Sequence, residues 1–433
     1  MAMDGKELVE KLAKLSQVQS IKDIPHLTHA LFPGTHCPLM GAAMAVGGIK
    51  DSLIVVVGTD ECTYYTKSMT IHSEKFGGID GRCVSVVLDD HDVTFGSAEK
   101  VQEAFKEIIE EYRPQCVFLV TTCVIEIIGD DFDAISEGLS KLYGIPVLPV
   151  HTEHFKCEDH LPGLERTITV CAEMMKSCDC ENSVNLLGQR MGDFATTELY
   201  AMLQKAGVKI GLQLPCGCSV DDIKNAAAAK VNIVVNDIAL PLAQKMQEKF
   251  GIPYVYFNKF VIPEKIYEAY KNLFGYLELE LPEELEGLYQ NAREEIEKNK
   301  GELEGITYIY GNTPYAVFEM NCFLSSLGMV PQVIQTNRYT EADEPYAKEI
   351  LQYTDPYVCK AANIAPLQYV YDVLSPYLYL GHEFGNRLRQ KGIAIVHSDR
   401  ASGMLGFEVT GYLLQQLVKS VREAKEYRKE LCL

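Results

Sequence analysis

The sequence predicts an α/β protein of three doubly wound, Rossmann-like domains with mainly parallel sheets. Three observations carry that expectation. Apolar strand-like runs alternate with amphipathic helical segments, as in βαβ units. The alternation restarts twice along the chain. Finally, 433 residues exceed what a single core commonly organises, and 47% hydrophobic with 23% charged residues is a globular composition.

The first cycle contains SLIVVVGT (52–59), CVSVVLDD (83–90), QCVFLVTTC (115–123) and IPVLPVHT (145–152). Helical patterns flank the third run, VQEAFKEIIEEY (101–112) before it and DAISEGLSKLYG (133–144) after it. Continuous apolar runs of this length are what strands buried on both faces of a parallel sheet require. This cycle assigns residues 1–182 to a first domain. The second cycle, residues 183–303, holds SVNLLG, VKIGLQL, VNIVVN, the helix ALPLAQKMQEKFG and IPYVYFN, and ends in a polar Glu/Lys-rich connector helix, 282–303. The third, 304–433, runs from ITYIYGN through VPQVIQT to IAIVHS and a C-terminal helix. In such sheets ligands gather at the carboxyl ends of the strands.

Charge and motif content narrow the function. A formal net charge of -20 opposes phosphate tracking, so nucleic acid is not an expected partner. No apolar run is long enough to span a bilayer, and MAMDGKELVEKLAKL lacks a basic n-region, so a cytoplasmic protein without membrane attachment is expected. Neither GxxxxGK(S/T) nor a strand-linked GxGxxG occurs, so any ATP or NAD chemistry is expected from a partner. Fourteen Cys in such a chain point to metal or cluster ligation for some and buried thiols for the rest.

Three cysteines stand out by position: Cys37 in GTHCPLMGA, Cys62 in GTDECTYY and Cys123 in TTCVIEIIGDD. Cys62 and Cys123 each follow a strand and would project from one carboxyl edge. Their separations match no local CxxC pattern, which leaves both a shared cluster and buried structural thiols open.

The segment YRPQCVFLVTTCVIEIIGDDFDAI, with GTHCPLMGA and GTDECTYY before it and LPVHTEHF after it, resembles the nitrogenase component 1 superfamily. That superfamily includes nitrogenase α and β subunits, cofactor-assembly scaffolds, dark-operative protochlorophyllide reductase subunits and the nickel-sirohydrochlorin reductive cyclase. MGDFATTELYAMLQKAGVKI, AKVNIVVNDIALPLAQKMQEKFGIPYV and GIAIVHSDRASGMLGFEVTGY extend the resemblance over the later domains.

The resemblance implies that Cys37, Cys62 and Cys123 bind an iron-sulfur cluster, of 4Fe-4S or larger 8Fe-7S P-cluster type, at a subunit interface. It implies a homodimer or αβ heterodimer with a paralogous subunit, and electrons from a nitrogenase-reductase-like P-loop ATPase. Substitution near Cys62, at Tyr64 or Lys67, should then weaken partner-dependent turnover. The reaction implied is reduction of a small molecule or tetrapyrrole. The alternative role is a non-catalytic scaffold for metallocofactor assembly, and a NAD-type doubly wound enzyme is a third reading that the missing glycine fingerprint opposes. A second, active-site metallocofactor would need a second-domain Cys and a third-domain His. His397 matches that His, as a ligand or proton donor, but Asn236 stands at the Cys position, and an amide is a poor ligand for soft iron.

Cys216 and Cys218 in LPCGCSVDD are candidate replacement thiolates or simply turn residues. Asp399 and Arg400 beside His397 could hold an anion or pair with each other. His151, His154, Cys157 and His160 in HTEHFKCEDH resemble a metal-binding run, whereas Cys178 and Cys180 fall on an exposed linker.

Overall fold

A computed structural model of the chain describes residues 4–27, 36–71, 81–157, 159–190, 192–258, 260–311, 313, 315–360 and 364–433. Three mainly parallel sheets organise it. The first contains β1 (Ser52–Gly58), β2 (Cys83–Val87), β3 (Cys116–Val120) and β4 (Val147–Val150), in the order β2-β1-β3-β4, every pair parallel. Every residue of β1 and β3 is buried, which is why both read as unbroken apolar runs.

The second sheet has β5 (Glu181–Gln189), β6 (Lys209–Pro215), β7 (Ala229–Val234) and β8 (Tyr254–Tyr256), in the order β8-β7-β5-β6 and again parallel. The third has β9 (Thr307–Tyr310), β10 (Val330–Gln335), β11 (Tyr357–Cys359), β12 (Leu378–Leu380) and β13 (Ala394–Val396), in the order β11-β10-β9-β12-β13. The strands β11 and β12 do not stand out in the sequence, because three residues are too few for a strand pattern to separate from a turn. The helix Pro263–Leu277 is likewise legible only in the structure.

The N-terminal residues, expected in the stretch 1–182, also serve the third sheet. Ala13–Lys14 pairs antiparallel with β11. Leu8, Val9 and Leu12 bury their side chains among Val333, Leu367 and Tyr371, and Ser16 donates its N–H and hydroxyl to Asp355 at 3.0 and 2.8 Å. The physical reason is the amphipathic face of the helix Gly5–Glu10, which needs an apolar surface to cover.

Two contacts between helices and turns matter for the site. The helices Pro38–Gly47 and Leu161–Val170 touch backbone to backbone: a Cβ on Gly41 would lie 1.9 Å from the His160 carbonyl oxygen, and one on Gly163 1.8 Å from that of Pro38. A short parallel pair, Ile49–Lys50 with Cys218–Ser219, ties the amino end of β1 to the turn after β6. Among the described residues no helix is long and apolar enough to cross a membrane.

Candidate iron-sulfur site

Each of the three leading cysteines stands at the start of a helix. Cys37 is the N-cap of Pro38–Gly47, Cys62 lies in the first turn of Asp60–Ile71, and Cys123 is the first residue of Cys123–Ile128. Helix starts expose unpaired N–H groups and the positive end of the peptide dipoles, which favour anionic sulfur. Cys62 and Cys123 follow β1 and β3, which pair in register from Ser52 with Cys116 to Val56 with Val120, so both thiols rise from one carboxyl edge. The crossing at Gly41 and Gly163 brings Cys37 to the same place.

Local sequence explains the precision. Gly58, the last residue of β1, leaves room for Thr122: a Cβ there would meet the Thr122 hydroxyl oxygen at 2.1 Å. In the IGDD signature, Gly129 ends the helix Cys123–Ile128 in the left-handed region, at φ 83°. Asp130 accepts the Ser97 N–H at 2.7 Å, and Asp131 caps the helix Phe132–Tyr143 through the Ala134 N–H at 2.9 Å. The signature is therefore the device that turns the chain directly behind Cys123.

The sulfurs are also dressed with donors. His154 gives its backbone N–H to Cys123 Sγ at 3.4 Å, and the Thr59 hydroxyl faces Cys62 Sγ at 3.6 Å. Burial holds the Cys37 thiol above its ordinary range; the Met40 and Leu39 amides pull it down, while Cys62 and Cys123 push it further up. A buried thiol that resists ionising, as Cys37 does, is what a polycationic centre would reverse, since metal binding deprotonates a coordinating thiol outright. This donor set fits an iron-sulfur cluster. Exposed apolar side chains stand around it: Tyr64 is 76% exposed, Ile127 74% and Phe155 56%. The side chain of Lys67 lies outside the described residues.

Cys216 and Cys218 are not brought to this edge. Cys218 pairs with Ile49, which precedes β1, whereas Cys62 follows it; seven strand residues, roughly 20 Å, lie between. The HTEHFKCEDH run disperses as well. His151 Nδ1 sits 2.8 Å from Glu126, His154 serves Cys123 through its backbone, Cys157 lies among Arg166, Glu153 and Asp159, and the ring of His160 meets His36 at 6.4 Å. Among the described residues, Asp89, His91 and Asp92 do place ligand atoms within 4.8 Å of one another. Lys100 already occupies that group, at 3.0 Å from Asp89 and 2.6 Å from Asp92.

Asn236 caps the turn Asp237–Ala239, its side-chain oxygen accepting the Ile238 N–H at 3.2 Å, and its backbone fits against Gly188. His397 follows β13 on the carboxyl edge of the third sheet and is exposed; Tyr412 donates to its carbonyl at 3.4 Å. Asp399 faces His382 at 3.5 Å. Cys178 and Cys180 are exposed just before β5.

Of a second group, where the three sheets approach one another, sequence reasoning singled out only His160, and in a different role. Arg190 follows β5, Asp237 follows β7, Tyr256 and Asn258 end β8 and follow it, and Arg338 follows β10; His160 and Glu165 come from the first-sheet side. Tyr256 donates to Asp237, and the Asn258 amide donates to the Tyr256 oxygen at 2.7 Å. Burial, aided by Arg190, His36 and Arg338 against Asp159, holds the His160 imidazole down to about 4, so it is neutral at physiological pH. For Arg190, Asp237, Asn258 and Arg338 the signal in the sequence was position after an apolar run.

Comparison with known proteins places this geometry. The family model described as nitrogenase component 1 type oxidoreductase matches residues 37–422. The chain belongs to that family. Proteins of this family bind iron-sulfur clusters, and membership supports oxidoreductase chemistry in general terms.

Among relatives of this component 1 chain, the nitrogenase iron-molybdenum cofactor biosynthesis protein NifE of Clostridium pasteurianum is 30% identical over 224 residues, 51% of this chain and 49% of that one. The NifE of Rippkaea orientalis is 25% identical over 73% of this chain and 69% of its own. The nitrogenase molybdenum-iron protein alpha chain of Methanosarcina barkeri is 25% identical over 68% of this chain and 58% of its own. The chain thus spans from about half to about two thirds of these relatives' length. A solved structure of nitrogenase Cp1 at pH 6.5 superposes with a TM-score of 0.76 at 15% identity, covering 92% of this chain and 94% of that one, and so shares the fold.

Proposed function

We propose that this chain is the iron-sulfur component of a nitrogenase-like reductase, taking low-potential electrons from a P-loop ATPase partner and passing them to a small molecule or tetrapyrrole. The observation that carries this reading is the convergence of Cys37, Cys62 and Cys123, each on a helix start, at one sheet edge. A cluster held by these thiolates would supply one-electron transfer at low potential. The His154 N–H and Thr59 hydroxyl stabilise charge on the sulfurs that hold it, as outer donors do in metal sites. Three protein thiolates leave ligation to be completed by a second subunit, identical or paralogous, across a two-fold or pseudo-two-fold contact. Tyr64, Tyr65 and Ile127 form an exposed apolar face beside the cluster, suited to protein contact.

The test is reconstitution under anaerobic conditions with a nitrogenase-reductase-like protein and ATP. The expected result is partner-dependent oxidation and reduction of the cluster signal, weakened by Tyr64→Asp with iron content unchanged. Equal turnover with dithionite and no partner protein would defeat the electron route.

A second reading, a scaffold on which a metallocofactor is assembled, is favoured by two observations. Asn236 is occupied as a helix cap and offers no thiolate, and two of the relatives above carry the name of a cofactor biosynthesis protein. A scaffold would release bound metallocofactor to an acceptor protein, whereas a reductase would retain it through many turnovers.

A further inference from the structure

The pair Cys178 and Cys180, in SCDCENS, serves neither the iron-sulfur site nor the hydrophobic core. Both thiols are free and exposed, in the stretch that leads into β5. Both line one pocket of about 320 Å³, to which Asp179 between them contributes nothing. That is the alternation of an extended chain, in which residues i and i+2 share a face.

The stretch is pinned at both ends. Lys176 donates its N–H to the Lys224 carbonyl at 2.9 Å, and Glu181 is in register with Ala229 at the start of β7. The thiols themselves are only weakly engaged. Cys178 Sγ faces the Lys176 carbonyl at 3.2 Å and the Asn225 amide oxygen at 4.0 Å, and Cys180 Sγ faces the Glu181 carbonyl at 3.8 Å. A thiol is a poor hydrogen-bond donor, so a metal ion would displace nothing stronger than these contacts. Phe250 and Tyr276 give the pocket apolar wall, and Glu278 and Lys230 are its charged residues. Glu278 ends the helix Pro263–Leu277 in the left-handed region, at φ 58°, where glycine is the usual residue. A carboxylate is thus kept at a position whose backbone favours no side chain.

We propose that Cys178 and Cys180 chelate a thiophilic d10 cation, Zn²⁺ or Cu⁺, at the amino edge of the second sheet, with Glu278 as an added oxygen ligand for Zn²⁺. Thiolates select these ions, and carboxylate oxygen completes zinc sites but not those of Cu⁺. Binding releases the thiol protons to solvent and transfers no electron. Either ion with two thiolates carries zero or negative charge, so Lys230 does not oppose it. The pocket lies where β5, β7 and β8 begin. The six residues of β7, roughly 20 Å, separate it from Asn236 at the other edge, so the site is independent of the iron-sulfur reading. Two thiolates beneath an open mouth suit a cation held exchangeably, since structural zinc sites are closed by four protein ligands.

The experiment equilibrates the anaerobically purified full chain, its own iron in place, with Zn²⁺ against a chromophoric chelator and, separately, with Cu⁺ against bicinchoninate. The expected result is one cation bound beyond those held by the Cys178→Ser/Cys180→Ser double variant. Cys178→Ser and Cys180→Ser should each weaken that binding about a hundredfold or more, as far as the double substitution does, because a chelate needs both sulfurs. Cys432→Ser, at another exposed thiol, should leave it unchanged. Glu278→Gln should lose Zn²⁺ affinity and keep that for Cu⁺, which tells the two cations apart. Because both thiols are exposed, the thermal midpoints of the serine variants should match the parent's, which separates lost ligation from lost folding. A double variant that binds as many cations as the parent, or single variants that keep parental affinity, would overturn the proposal. Zn²⁺ binding indifferent to Glu278→Gln would overturn the part given to the carboxylate. Iron content, measured in the same samples and expected to be unchanged, reports separately on the cluster reading.

Discussion

Six cysteines meet one hydrophobic core in two different ways. Cys37 and Cys62 pack against its rim and Cys123 stands beside them, all three half-exposed on helix starts. Cys116, Cys171 and Cys218 lie inside the same core, also within each other's electrostatic reach. There burial dominates: the Cys116 and Cys218 thiols are pushed up to about 12, and Cys171 well above its ordinary range. Cys171 donates its S–H to the Thr167 carbonyl at 3.3 Å, as a neutral thiol does. Grouping of cysteines is therefore not enough to make a cluster site. What separates the trios is access to solvent and to amide donors, the conditions under which a thiolate can exist.

The sharpest way to break this comparison is to remove one thiol from each trio. Cys62→Ala or Cys123→Ala should abolish nearly all bound iron in anaerobically purified protein, while Cys171→Ala should leave iron unchanged and cost about 1 kcal/mol of stability through a small cavity. Iron assays with urea unfolding check both arms, and iron loss in Cys171→Ala with full retention in Cys62→Ala would invert the assignment.

Next in size is the crossing that delivers Cys37 to the rim. A side chain at Gly41 collides with the His160 backbone, which cannot move without displacing the helix behind it. Gly41→Val should destabilise by about 3 kcal/mol or more and lower iron content together, as seen by thermal unfolding and iron assay.

The interior also holds a carboxyl that behaves as its thiols do. Glu319 is 4% exposed and its Oε1 has no hydrogen-bond partner among the described residues. Burial raises it to about 7, with Asp237 adding to the shift and Lys265 and the Val261 amide opposing it. The folded protein then keeps a proton that the unfolded chain releases, so this contribution to stability is intact below the ordinary value of 4.5 and is lost as pH rises to about 7. The difference is of order 3 kcal/mol. Glu319→Gln should flatten the dependence and be more stable than wild type at pH 8, which urea midpoints at pH 5 and 8 would measure.

The smallest effect is expected at Asn236. Asn236→Ala removes a cap worth about 1 kcal/mol and should leave iron content unchanged. Iron loss there would mean that the residue serves the metal and not the turn.

Much of this was legible in sequence because it is local. The unbroken apolar runs announced strands buried on both faces, their alternation with helices announced parallel sheets, and a cysteine just after such a run could only emerge at a carboxyl edge. The motifs around Cys37, Cys62 and Cys123 carried the family resemblance for the same reason: glycine, threonine and paired aspartates are what a tight strand-to-helix turn demands. Tertiary structure alone decided the rest. Whether His160 would join a histidine-cysteine metal run or stack on His36 depends on a helix crossing set by Gly41 and Gly163, more than a hundred residues apart. Cys180 and Glu278 line one pocket only because a strand start and a helix end meet at one edge of the second sheet. Local pattern reports which face of an element is apolar; it is silent on which polar ends will meet, since that depends on how whole layers pack.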